Sequence, residues 1–269
     1  MADHTPTTHS TETVTSPLAP SDADEAVMTI WEHLEELRAR LLRAVIAVLV
    51  AFVVMLFFTS DIIEYLSDPY TDITGRPLQQ LEPTGNIVIY FRVALLGAGI
   101  VVIPYITYQL FMFVSPGLTR RERRWILSAL PFTTGFFLLG VAFSWFIMIP
   151  AAFEFLIGFQ NDVLANEWTA QRYFAFLTSI IFWVGVSFEM PVVLYVLARM
   201  GLVGRQALIN NWRFAVVAMS VVAALVTPTV DPFNMLLVMA PLLILYMISI
   251  VLVGIAENRL RRALDSQDT

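Results

Sequence analysis

Three short polar segments in an otherwise apolar chain hold the residue types that could do chemistry. The first is the run from Thr29 to Leu41, which contains Glu32, His33, Glu36, Arg38 and Arg40. Thr29 followed by Glu32 fits a capping box, so a helix is predicted to start here. Ile30, Leu34, Leu37 and Leu41 recur at helical spacing as an apolar stripe, and Glu32, Glu36 and Arg40 fall at i, i+4 and i+8 on the other face. Such a face is either a set of solvated pairs on an interfacial helix or a carboxylate site for a basic ligand. The second segment runs from Phe113 to Trp125. Pro116-Gly117 makes a turn, and Thr119 with Glu122 fits another capping box. Glu122 is then a lone acid among Arg120, Arg121, Arg123 and Arg124, and it reads equally as a helix cap or as an anionic site. The third segment is Ser187-Phe-Glu189-Met-Pro191. Glu189 lies ten residues before Arg199, roughly 15 Å along a helix and deep in a long apolar run. A carboxylate there is costly and is a functional candidate by default, expected to be neutral or paired with a polar side chain such as Gln109 or Asn234. Asp231, in the short turn from Thr227 to Pro232, is a weaker candidate, because acids at such turns are commonly caps.

Other chemistry is excluded by what the chain lacks. All 16 basic residues are arginine. Without lysine there is no Walker A loop and no Schiff base. Without cysteine there are no disulfides and no thiolate metal sites. The three histidines, His4, His9 and His33, sit too near one end for a metal or catalytic cluster, so neither metal nor cofactor is expected. A chain that is 58% hydrophobic and 14% charged is far from the composition of a soluble domain. These features predict a membrane protein with no catalysis of its own.

The elements that must position the polar groups are apolar spans. Six are long enough to approach the about 20 residues a crossing needs: Leu41–Phe58, Ile87–Val114, Trp125–Phe153, Tyr173–Ala198, Phe214–Val230 and Pro232–Ala256. The expected architecture is an all-α membrane bundle, cupped by the prolines at Pro104, Pro131, Pro191 and Pro241. The fifth span offers only Phe214 to Thr227 before Pro228, about 21 Å of helix against a hydrocarbon core of about 30 Å. Connecting segments alternate in arginine content, with 13 of the 16 on one side. By the positive-inside rule both termini face the cytoplasm, with outer loops near Asp61–Gly85, Gly158–Ala170 and Pro228–Asp231. Residues 1–28, which carry five acids and no base, read as a disordered Thr/Ser/Pro-rich tail. Residues 29–256 form the membrane domain and 257–269 a short cytoplasmic tail.

The polar segments also carry a resemblance. The run His33 to Leu41, Tyr108-Gln109, Phe113-Val-Ser-Pro-Gly-Leu-Thr119 and Glu122-Arg123 resemble, in order, motifs of the TatC family. Ser187-Phe-Glu-Met-Pro191 and Thr227-Pro-Thr-Val-Asp231 are similar to two more, although family members often have a tighter Thr-Pro-Pro-Asp. TatC is the multi-span receptor subunit of the twin-arginine protein translocase, and the likeness covers about Met28 to Ala256.

That resemblance implies a receptor for the twin-arginine signal peptides of folded precursor proteins. It also implies single-span TatA and TatB partners in an oligomeric complex, membrane lipids around it, and transport driven by the proton-motive force across a prokaryotic plasma membrane. It implies no nucleic acid. Carried over by motif, Glu36 and Glu122 would receive the twin arginines, with Arg38 and Phe113 beside them. Glu189 and Gln109 would be intramembrane polar contacts, and Pro69 (in Ser67-Asp-Pro) and Asp231 would be structural positions. Carboxylates take guanidinium groups bidentately, which suits an arginine-pair signal. The competing reading is a proton-coupled solute transporter using Glu189 as a midplane relay. Glu36 and Glu122, both expected on the cytoplasmic face, argue against it.

Overall fold

The computed structural model describes residues 30–114, 120–158, 168–227 and 232–265. Thr29, Thr119 and Asp231 lie outside the described residues, as does the side chain of Glu122. The described chain is helical, with one isolated bridge between Gln79 and Thr169. Ile30–Leu56 contains neither glycine nor proline and forms α1. Thr59–Thr74 forms α2, which ends at Gly75, in the left-handed region at φ 63°, where its N–H bonds Thr71 O at 2.8 Å. Next come α3 (Gly85–Val114) and α4 (Arg120–Phe143), the latter continuing through a π-turn (Ser144–Met148) into α5 (Ile149–Gly158). Then follow α6 (Ala170–Arg199), the short α7 (Arg205–Asn210), α8 (Trp212–Val226) and α9 (Pro232–Asp265).

Five of these stretches are long and apolar enough to cross a membrane, among them Trp31–Leu56, Leu127–Leu156 and Pro232–Arg259. The sixth expected span corresponds to α8, whose 15 residues make about 22 Å of helix. Thr227 closes α8 in an extended conformation at ψ 112°, which the following Pro228 favours by crowding the helical region. The loop expected over Asp61–Gly85 is corrected: most of it is α2. Ile62, Leu66 and Tyr70 recur every four residues along that helix, and Leu66 and Tyr70 are buried.

The prolines at 104, 131 and 191 lie inside α3, α4 and α6, and Pro241 inside α9. Pro150, the second residue of α5, lies one residue beyond the π-turn. A proline ring collides with the carbonyl four residues back, here Phe146, and the wider π-turn gives that carbonyl room.

Central in the bundle is α6, which packs against α3, α4 and α9, while α1 packs on the far side of α3 and α8 on α9. Close approach of α4 and α6 rests on two glycines. A Cβ at Gly140 would stand 2.8 Å from Phe188, and one at Gly185 would stand 2.9 Å from Phe137. At one end, an aromatic cluster ties α2 to α5 and α6. Tyr173 stacks on Phe153 with centroids 5.3 Å apart, meets Tyr70 edge-on at 5.7 Å and donates its hydroxyl to Leu66 O at 2.6 Å. At the other end His33 meets Phe113, Phe111 packs on Val196, and Ala198 packs with Val253 and Ala256. These contacts gather the start of α1 and the ends of α3, α6 and α9, and so bring the arginine-bearing segments to one end of the molecule.

Candidate functional site

The polar groups of α1 gather against α3 at this arginine-rich end. The helix turns its expected faces the other way round from a solvated interfacial helix: Leu34, Leu37 and Leu41 are exposed, whereas His33, Glu36 and Arg40 are partly covered by α3. In a membrane that arrangement is the sensible one, since lipid accepts leucine and not carboxylate. Arg40 donates from Nε to Glu36 Oε1 at 2.8 Å and also pairs with that oxygen through Nη2. Its Nη1 donates to Gln109 Oε1 on α3 at 3.3 Å. The pair expected at i,i+4 therefore forms, but it is not solvated, for the two side chains are only 14% and 16% exposed. The second carboxylate oxygen, Glu36 Oε2, is buried and accepts no hydrogen bond among the described residues. One turn earlier, His33 stacks on Phe113 with ring centroids 4.3 Å apart and planes within 17°.

Beneath this site, α3 carries a second polar contact. Residues two apart on a helix differ by about 200°, so Gln109 faces α1 while Thr107 faces α6. The buried Thr107 hydroxyl lies 2.9 Å from Glu189 Oε2 and 3.2 Å from Oε1. Its single proton favours the nearer oxygen. The partner expected for Glu189 is thereby corrected: Gln109 is engaged by Arg40, and Thr107 is the donor. Asn234, the other expected partner, is buried in the first turn of α9. Glu189 lies in the second half of the parallel α6, several turns deeper.

The remaining candidates fall apart spatially. Arg38 is exposed, and two residues from Glu36 it projects from the opposite side of α1. Glu122 is the third residue of α4, the position a capping box assigns it. Pro69 sits inside α2, near the other end, and is partly buried. Among the described residues no group of His, Asp and Glu is placed to hold a metal ion. Sequence reasoning put Arg40 on the face of Glu36 but gave neither it nor His33 a role in the site, and it passed over Thr107. For His33 the signal was available, because it lies one turn before Glu36 on the same face. A threonine inside an apolar helix gave none.

The fold and its polar contacts define a multi-pass helical membrane protein. The Sec-independent protein translocase protein (TatC) family model matches residues 32–241, and the chain belongs to that family. It is 32% identical over 223 residues to the Sec-independent protein translocase protein TatC of Synechocystis sp., covering 83% of this chain and 87% of that one. It is 36% identical over 220 residues to the protein of the same name from Helicobacter pylori strain J99, covering 82% and 86%. A crystal structure of the twin-arginine translocase receptor TatC superposes with a TM-score of 0.77 at 32% identity, over 84% of this chain and 99% of that chain. This membership assigns the chain to protein transport through the twin-arginine translocase and displaces the solute-transporter alternative.

Proposed function

We propose that the chain is the signal-peptide receptor of its translocase, and that the polar seam between α1 and α3 receives the twin arginines. The observation that carries this reading is Glu36 Oε2, a buried carboxylate oxygen with no donor among the described residues. A buried acceptor left open is costly, about 1–3 kcal/mol or more for a charged group, and is held where a ligand satisfies it. Arg40 occupies the other oxygen and so fixes the carboxylate, while Gln109 holds Arg40 from behind. His33 and Phe113 form a flat stacked wall beside it, a surface on which a second guanidinium can lie. We assign Glu122, at the start of α4, as the second acidic residue of the site, and Arg38, on the opposite face of α1, to a contact with another part of the signal peptide.

In this reading the six helical hairpin arms cross the plasma membrane of a prokaryote as a cupped bundle, α8 included, with both termini cytoplasmic. Residues 1–28 and 257–269 are tails of the membrane domain at 29–256. Glu189, with Thr107, faces partner or signal-peptide segments, and Pro69 and Asp231 shape the outer end. Single-span TatA and TatB proteins assemble on the bundle in an oligomer, precursors cross folded, and the proton-motive force drives them. The chain itself catalyses no reaction.

The test is site-specific photocrosslinking in membranes, with a photoreactive group at Leu37, Phe113 or Gln109 and a precursor bearing a twin-arginine signal. Crosslinks from Phe113 and Gln109 that vanish when the signal carries twin lysines are the expected result. Crosslinks insensitive to that change, or none above the level at Leu37 on the outward face, would overturn the site.

A further inference from the structure

Only three arginines lie off the arginine-rich loops: Arg76, Arg92 and Arg172. Two of them converge. A cavity of about 230 Å³ between the beginnings of α3 and α6 is lined by Val88, Ile89, Arg92, Gln171, Arg172 and Ala175. Both arginines are exposed, and among the described residues neither makes an ion pair. Glu82 is engaged elsewhere on the rim, accepting from the Gln171 amide at 2.8 Å.

We propose that this cavity binds the phosphodiester headgroup of an anionic membrane lipid, in the leaflet opposite the arginine-rich loops. The leaflet depends on the orientation proposed above, whereas the chemistry does not. The first argument is depth. The span Gly85–Phe113 is 29 residues long, about 43 Å against a hydrocarbon core of about 30 Å. Centred, it overhangs by about 6 Å at each end, and Arg92, about 10 Å from its start, lies just inside the acyl boundary. An arginine there reaches outward to phosphate along its aliphatic stem. Arg172, in the first turn of α6, approaches the same phosphate from above, and two guanidinium forks suit its oxygens.

The second argument is field. Both helices present their N-terminal ends to the cavity, so their dipoles add to the arginines in favouring an anion. The third is shape. The volume is below the about 300–1,000 Å³ of sites that enclose whole drug-sized ligands. It admits a headgroup whose acyl chains run down the exposed Val88 side of α3. Opposing charge is modest, for Glu82 is the carboxylate held by a lining residue, and its amide partner keeps it turned to the rim.

Full-length protein stripped of lipid in a neutral detergent would be titrated with phosphatidylglycerol, phosphatidylcholine or free sn-glycerol 1-phosphate, with bound species counted by native mass spectrometry. Phosphatidylglycerol should bind in preference to phosphatidylcholine, and glycerol phosphate should not displace it. The Arg92→Gln/Arg172→Gln pair should weaken phosphatidylglycerol at least tenfold, Arg92→Lys/Arg172→Lys less, and Arg76→Gln not at all. Ala175→Phe, which fills the cavity and keeps both charges, should weaken it as much as the glutamine pair. Unchanged affinity in the glutamine pair or in Ala175→Phe would overturn the proposal, as would equal binding of phosphatidylcholine by the wild type. Displacement by glycerol phosphate would reassign the cavity to a soluble phosphate and overturn the lipid.

Discussion

Glu36→Gln and Arg40→Gln, made singly and together, separate what the α1 pair does for the fold from what its open oxygen does for a ligand. With side chains 14% and 16% exposed, the pair stands between two regimes. Exposed pairs contribute about 0–1 kcal/mol, and breaking a fully buried pair costs about 3–5 kcal/mol. Each single substitution should therefore cost about 2 kcal/mol, because it leaves one charge half-desolvated and unpaired. The double variant removes both charges and should cost less than the sum by about 1–2 kcal/mol. Binding should divide differently. Glu36→Gln and the double variant lose a charge-assisted contact of about 1.5–3 kcal/mol, or roughly 10- to 100-fold in affinity for a twin-arginine signal. Arg40→Gln keeps Oε2 but leaves the carboxylate unfixed, so its affinity should fall less than that of Glu36→Gln although its fold is weakened. The measurements are melting midpoints in detergent and signal-peptide affinity in membranes. Additive stability losses would refute the coupling, and wild-type affinity in Glu36→Gln would refute Oε2 as the acceptor.

Thr107→Val should destabilise the bundle by about 1–3 kcal/mol, since it leaves a buried carboxylate without its donor. Glu189→Gln should be milder and Glu189→Arg far worse for transport, and equal behaviour of those two would sink the polar-partner account. Gly140→Ala should lower the melting midpoint through an overpacking cost of about 1–3 kcal/mol, because the new methyl meets Phe188 close to its own backbone, at 2.8 Å. For Glu122, a glutamine still completes a capping box, so lost precursor binding in Glu122→Gln with mild effects in Thr119→Ala would establish a charge role; the opposite pattern would leave a cap. Because the chain has no cysteine, single cysteines at Gln80 and Gln206 can be labelled from either side of sealed vesicles. Gln80 should react from outside and Gln206 only from the cytoplasm.

Reading the chain alone located its helices closely. The expected Ile87–Val114 is found as Gly85–Val114, and Tyr173–Ala198 as Ala170–Arg199. That accuracy has a physical cause, for a backbone in lipid must satisfy its own hydrogen bonds and a long apolar run has little choice but helix. The failure at α2 has the converse cause. Outside the apolar runs, Asp61, Glu64, Asp68, Asp72 and Pro69 suggest a loop, and the weak stripe of Ile62, Leu66 and Tyr70 is outweighed. Its helix is fixed by packing, through Tyr70 and Leu66 against Tyr173.

The site was legible by face and illegible by partner. Spacing along α1 put Glu36 and Arg40 together, which i,i+4 geometry guarantees on any helix. Nothing in that spacing says whether their face meets water or another helix, and this is why a solvated pair and a ligand site both stand open in the sequence. The inter-helix partners needed a further quantity, the rotation of α3. Thr107 and Gln109 lie two residues apart on it and so serve opposite neighbours. Rotating α3 by half a turn would exchange them, giving Gln109 to Glu189 as the polar amide suggested and leaving only a hydroxyl to meet α1. The observed rotation gives the amide oxygen to the guanidinium and the hydroxyl proton to the carboxylate. A threonine hydroxyl reaches a carboxylate packed directly opposite it, whereas Arg40, already committed to Glu36, needs an acceptor at the end of a longer side chain. Charge type and side-chain length together select one rotation, and they do so only once three helices are in contact.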